Sequence, residues 1–170
     1  MFTVNDLVVY GNSGVCRINE IGCPEFAASG SGNTYYTLSP LYSRNSVIYC
    51  PEEKAAGMMR PVLSGEEARV LIEQIPEIGV IEEENHRAIF EKFDQAIKSN
   101  DCCEWVRIIK TVHRKKVNEA NKGKKVSQSD RRYMKQAEDL LYGELAVTLS
   151  LPKEEVERYI VEKVSEMESF

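Results

Sequence analysis

Three basic side chains between positions 105 and 114 share one side of a helix. With Trp105 at zero on a wheel of about 100° per residue, Arg107, Lys110 and Arg114 fall at about 200°, 140° and 180°. Ile108, Ile109 and Val112 fall within about 60° of Trp105, so one face is apolar and the other cationic. A later helix repeats the design: Tyr133, Ala137, Leu140 and Leu141 share a face, and Arg131 and Lys135 project away from it. His113-Arg114-Lys115-Lys116 and Lys122-Gly123-Lys124-Lys125 add charge at the helix end and in the linker. Such an array suits a polyanion. Each Lys or Arg near a phosphate releases counterions, so affinity builds from many modest contacts without a deep pocket. A solvated helix face also collects lysines, so the setting decides. Residues 100–135 hold eleven Lys or Arg against four Asp or Glu, a balance of +7 in a chain of net charge −5. The rest therefore carries −12. Charge segregated in this way points to nucleic acid despite the acidic mean.

Other chemistries are poorly supplied. The five cysteines, Cys16, Cys23, Cys50, Cys102 and Cys103, are odd in number and form no C-x-x-C pair, and there are two histidines. Neither a disulfide framework nor a zinc site is expected. Cys16 and Cys50 read as small core residues, and Cys102 and Cys103 as unreactive thiols at a helix start. No glycine-rich phosphate loop, G-x-S-x-G or H-E-x-x-H is present, so no catalytic residue, cofactor or small-molecule substrate is expected. Trp105 reads as core. Glu144 falls on an apolar helix face and reads as a tie between helices.

These side chains must be positioned by two kinds of structure. Residues 1–62 read as a β domain with short strands at Leu7–Tyr10, Val15–Ile21, Thr34–Leu41 and Ser46–Cys50. Turn-rich stretches at 11–14, 28–33 and 43–45 separate them. The spacing predicts a small barrel or strongly bent sheet. Residues 63–170 read as a helical domain of about five helices. Ser64-Gly65-Glu66-Glu67 is a capping box opening a helix to about Ile75, and Pro76 and Gly79 end it. A second helix starts near Asn85 and a third after Asp101. A fourth runs from Ser127 or Ser129 to about Leu149, and Pro152 opens a fifth. No apolar run is long enough to span a membrane, and the N-terminus reads as a strand and not a leader, so a cytoplasmic protein is expected.

Several motifs, in order, resemble one family. They are Val4-Asn5-Asp6-Leu7-Val8-Val9-Tyr10 with Gly14-Val15, Tyr35-Tyr36-Thr37-Leu38, Ser46-Val47-Ile48-Tyr49-Cys50-Pro51, Arg131-Arg132, and Leu140-Leu141-Tyr142-Gly143-Glu144-Leu145-Ala146. Over about residues 2–165 the chain resembles the CarD-type bacterial transcription regulators, whose N-terminal module is shared with transcription-repair coupling factor. The resemblance implies an α+β chain: a Tudor-like β domain that docks on the RNA polymerase β subunit, and a helical domain that contacts promoter DNA near the upstream edge of the melted region. Members act on open-complex stability. By this resemblance, polymerase docking falls to Val47, Ile48 and Tyr49 with Pro24 and Glu25 nearby. By the resemblance, DNA contact falls to His86 and Arg87; the basic faces and linker add Arg107, Lys110, Arg114, Lys115, Lys124, Lys125, Arg131, Arg132 and Lys135, mostly toward the backbone. The chain departs from the family at two places. Tyr49 stands where better-known members carry an arginine, and His86 stands where they carry a tryptophan that wedges into the minor groove.

Two further readings use the same basic face: an RNA-binding or ribosome-associated module, and an adaptor for an acidic protein.

Overall fold

The structure, a computed structural model, describes residues 1–27 and 32–168. Part of the turn expected at 28–33 lies outside the described residues. Packing divides the chain into Met1–Val62 and Leu63–Phe170.

The first unit is the Tudor-like β domain, whose described residues form a five-stranded antiparallel sheet. Strand β1 (Leu7–Tyr10) reverses into β2 (Gly14–Gly22) through a single 3-10 turn. Gly11 and Gly14 supply that turn's positive φ values, 45° and 75°. Strand β3 (Tyr35–Pro40) pairs with β2, and β4 (Ile48–Pro51) pairs with β3. A short helix α1 (Glu52–Met58) then leads to β5 (Met59–Pro61) on the other side of β1. The order β4-β3-β2-β1-β5 makes β4 an edge strand. Alternation along the strands drives Val8, Cys16, Ile18, Tyr36, Leu38 and Cys50 into one core, which Ala55 and Met59 complete. The pairing of β5 with β1, and α1 before it, has no signal in the strand pattern.

Among the described residues, the second unit has five α-helices: α2 (Gly65–Gln74), α3 (His86–Lys98), α4 (Cys102–Asn121), α5 (Gln128–Leu149) and α6 (Lys153–Glu168). Local chemistry sets their starts. The Ser64–Glu67 capping box forms with both bonds present. Asn85 accepts from the Arg87 and Ala88 amides, Asp101 from Cys103 and Ser127 from Asp130. Between α2 and α3 a 3-10 turn at Ile75–Glu77 gives way to irregular chain. The core is built on Phe93, Trp105, Ile108, Val112, Leu145 and Val156, all essentially inaccessible. Truncating Phe93 or Trp105 to alanine would cost about 3–5 kcal/mol.

Glu144 is fully buried and ties segments together, as its wheel position suggested. One oxygen accepts the Leu63 amide at 2.8 Å, and the other accepts the Cys102 thiol at 3.2 Å. A buried carboxylate is tolerated when donors surround it. Among the described residues, no helix is long and apolar enough to cross a membrane.

Candidate nucleic-acid interface and docking edge

The cationic face of α4 is not bare. The irregular chain after α2 lies along it. Lys110 Nζ donates to the carbonyls of Ile75 at 2.8 Å, Ile78 at 2.5 Å and Pro76 at 3.4 Å. Arg114 reaches both carboxylate oxygens of Glu82 at 3.2 Å and holds that carboxyl below its ordinary range by hydrogen bonding first and charge second. Arg107 pairs with Glu104 one turn back on its own helix. The wheel placed these three cations correctly on one side. It could not reveal that carbonyls of 75–78 and the Glu82 carboxylate, from outside α4, meet two of them there. Lys110 is half-buried with its ammonium bound, so its position on the wheel is not an outward, freely replaceable one.

A second basic region surrounds the α4–α5 corner. Asp130, 3% exposed, accepts both Lys115 Nζ, at 3.0 and 3.1 Å, and the Ser127 hydroxyl at 2.8 Å. This buried ion pair fixes the corner's geometry. Tyr133 stacks on Phe90 of α3, centroids 5.6 Å apart, and donates to Asp94 at 2.7 Å. Lys115 sits over the Phe90 ring and Arg132 over the Tyr133 ring, at 6.0 and 5.4 Å. The contacts therefore bring the start of α5 beside the first turns of α3. His86 and Arg87 are exposed there, His86 one turn before Phe90 on the same side. Lys124, Lys125, Arg131 and Arg132 are exposed at the corner. Arg131 spends one nitrogen on the Val126 carbonyl. Lys135 faces Asp139 at 3.5 Å. Lys124 and Lys125 form no ion pair among the described residues.

The structure thus sorts the sequence-derived cations. His86, Lys124, Lys125, Arg131 and Arg132 present donors outward, and Arg87 is exposed beside Glu91 at 3.7 Å. Lys110 and Lys115 are engaged inside the unit, and Arg107, Arg114 and Lys135 face carboxylates. Sequence reasoning missed Asp130 and Thr111 as organisers. The Ser127-x-x-Asp130 spacing is the one local signal that could have marked the first of them.

On the β unit, the β4 edge carries an apolar cluster. Phe26 is 61% exposed, Val47 52% and Tyr49 44%. Phe26 packs edge-on against Tyr49 at 4.7 Å and against Tyr35 at 5.6 Å. Pro24 is half-buried and Glu25 exposed on the segment that delivers Phe26, and Ile48 is half-buried against the core. The family resemblance points to Pro24, Glu25, Val47, Ile48 and Tyr49. The aromatic pairing of Phe26 with Tyr35 and Tyr49 joins residues far apart in sequence and has no local signal.

Three of the thiols are poor thiolates. Burial pushes Cys16 up to about 11 and raises Cys50, and burial followed by Asp101 and Glu104 raises Cys103. No cluster of three or more His, Cys, Asp or Glu among the described residues could hold a metal ion.

Residues 2–63 match the model of the CarD-like/TRCF RID domain, and residues 72–161 match that of the CarD C-terminal domain. The chain belongs to the CarD family. CarD-family proteins are transcription regulators that interact with RNA polymerase, and they are not known as enzymes. The β unit carrying the exposed edge is the polymerase-interacting kind of domain, and the helical unit carrying the basic corner is the CarD C-terminal kind. No curated protein matches the chain.

Proposed function

We propose that this CarD-family protein docks on the RNA polymerase β subunit through the β4 edge and contacts promoter DNA through the α3 start and the α4–α5 corner. It thereby changes the lifetime of the open complex. The observation that carries the reading is the β4 edge itself. An edge strand offers unpaired amides and carbonyls that extend a partner's sheet, and Phe26, Val47 and Tyr49 add an apolar anchor beside them. DNA contact rests on the exposed cations. They are backbone-directed by type and spacing, so they position the protein without reading sequence.

His86 opens α3 with its side chain exposed, a place from which an imidazole reaches a base edge or a phosphate. A smaller ring than tryptophan buries less area between bases, so the open complex gains less from it.

The test separates the two surfaces. Val47→Glu with Tyr49→Glu should abolish capture of the β subunit while leaving binding to a promoter fragment intact. Lys124→Glu, Lys125→Glu and Arg132→Glu together should do the reverse. Lys110 and Lys115 are left out because their ammonium groups hold the fold. Decay of heparin-resistant promoter complexes should change with either set. Recovery of ribosomal RNA in place of the β subunit would replace this reading with an RNA-binding one.

A further inference from the structure

Residues 78–85 have no regular structure, yet α4 fastens this segment at close intervals. Lys110 gathers three carbonyls from Ile75, Pro76 and Ile78. The next residue, Thr111, is buried; its hydroxyl oxygen accepts the Ile81 amide at 2.8 Å and donates to the Arg107 carbonyl at 2.5 Å. The Ile81 side chain is itself buried. Further on, Lys92 of α3 reaches the Glu82 carbonyl and the Glu83 carboxylate. Glu83 accepts the Asn85 amide, and Asn85 caps α3. The first residues beyond this fastened path are His86 and Arg87.

We propose that Lys110 and Thr111 are positioning residues for DNA contact. They fix the path of 75–85 on α4 and so set where the start of α3 presents His86 and Arg87. The proposal rests on the reading of the helical unit as the DNA-contacting one. It reassigns Lys110, which the wheel had marked for phosphate. An ammonium has three donors, and all three have carbonyl partners within the unit. Thr111 touches no solvent and carries no charge, so any effect it has on DNA must pass through the backbone it holds. The exposed Arg114–Glu82 pair adds little, because surface ion pairs are screened. The buried Ile81 amide is the costly group to orphan.

The experiment compares Lys110→Met, Lys110→Arg, Thr111→Val and Thr111→Ser in the full chain. Affinity for a promoter fragment is measured across salt concentrations, and amide exchange is followed at Ile78 and Ile81. Both Lys110→Met and Thr111→Val should weaken DNA binding by about five- to tenfold with accelerated exchange at these amides, as loss of a buried partner predicts. The slope of log affinity against log salt should stay that of the parent, because no phosphate contact is removed. Arginine at 110 and serine at 111 keep the donors or the acceptor and should restore most of the affinity.

Thr111→Val binding DNA like the parent, with its Ile81 amide exchanging faster, would overturn the proposal. So would a Lys110→Met loss accompanied by a slope reduced by about 0.9, the mark of one lost phosphate contact. If Thr111→Val fails to fold, the slope of Lys110→Met and its rescue by arginine decide alone. Absence of DNA binding by the parent itself would overturn the underlying reading, and with it this proposal, and is recognised before any variant is compared.

Discussion

The basic face of α4 and the α4–α5 corner look alike in sequence and differ in structure. On the face, Arg107, Lys110 and Arg114 each meet a carboxylate or a set of carbonyls. At the corner, one cation, Lys115, is engaged by buried Asp130, and Lys124, Lys125 and Arg132 remain exposed around it. A cation's place on a wheel gives its direction, not its availability. Availability depends on what the rest of the unit lays against that face.

The largest effect should come from the buried anchor of the corner. Asp130→Ala leaves a mostly buried ammonium without its carboxylate and removes an acid from the first turn of α5. Breaking a buried pair in this way should cost about 3 kcal/mol, read from urea unfolding. A loss under about 1 kcal/mol would show that the corner does not depend on its buried pair.

Next is the charge itself. Lys124→Glu with Lys125→Glu should weaken promoter-fragment binding by about tenfold or more and lower the salt slope by nearly 2, one phosphate for each lysine. By contrast, Arg107→Ala should change affinity by less than about twofold, because its half-buried guanidinium is bonded to both carboxylate oxygens of Glu104. Equal effects at the two regions would erase the distinction drawn between them.

A smaller effect involves α5 beyond the corner. Burial raises the Glu138 carboxyl above its ordinary value of 4.5, and Glu157 of α6 and Asp139 add to the rise. Lys116 of α4 and Lys135 oppose it. A carboxyl raised on folding contributes stability that is complete below its unfolded value and is lost as pH rises through the folded one. Stability should therefore fall from about pH 4.5 toward neutrality on this group's account. Glu138→Gln should remove that fall and add about 0.5 kcal/mol at pH 7, measured by unfolding across pH. A variant less stable at pH 7 than the parent would show that the carboxylate is held favourably and that the lysines outweigh the burial.

Much of the helical unit was legible because helix starts are local. Ser64, Asn85, Asp101 and Ser127 each precede a helix and cap it with their own side chains, within three residues. The apolar wheel positions of Trp105 and Tyr133, and the tie made by Glu144, followed from the 3.6-residue period. The α1 helix and the β5 strand were not legible: they are short, and β5 is defined by pairing with β1 some fifty residues earlier. The fastening of 75–82 onto α4 was also hidden. Lys110 meets carbonyls 32 to 35 residues before it, and a carbonyl has no sequence signature. The Phe26–Tyr49 contact is of the same kind, created by the order of the strands. Local grammar thus gave the frame, and long-range packing decided which charges and rings remain on offer.

The β4 strand is only four residues long. A partner strand paired along it, as proposed, would gain few backbone hydrogen bonds, so most of the contact would fall to side chains: Phe26, Val47 and Tyr49 would set how tightly the edge holds, and the strand only in which direction.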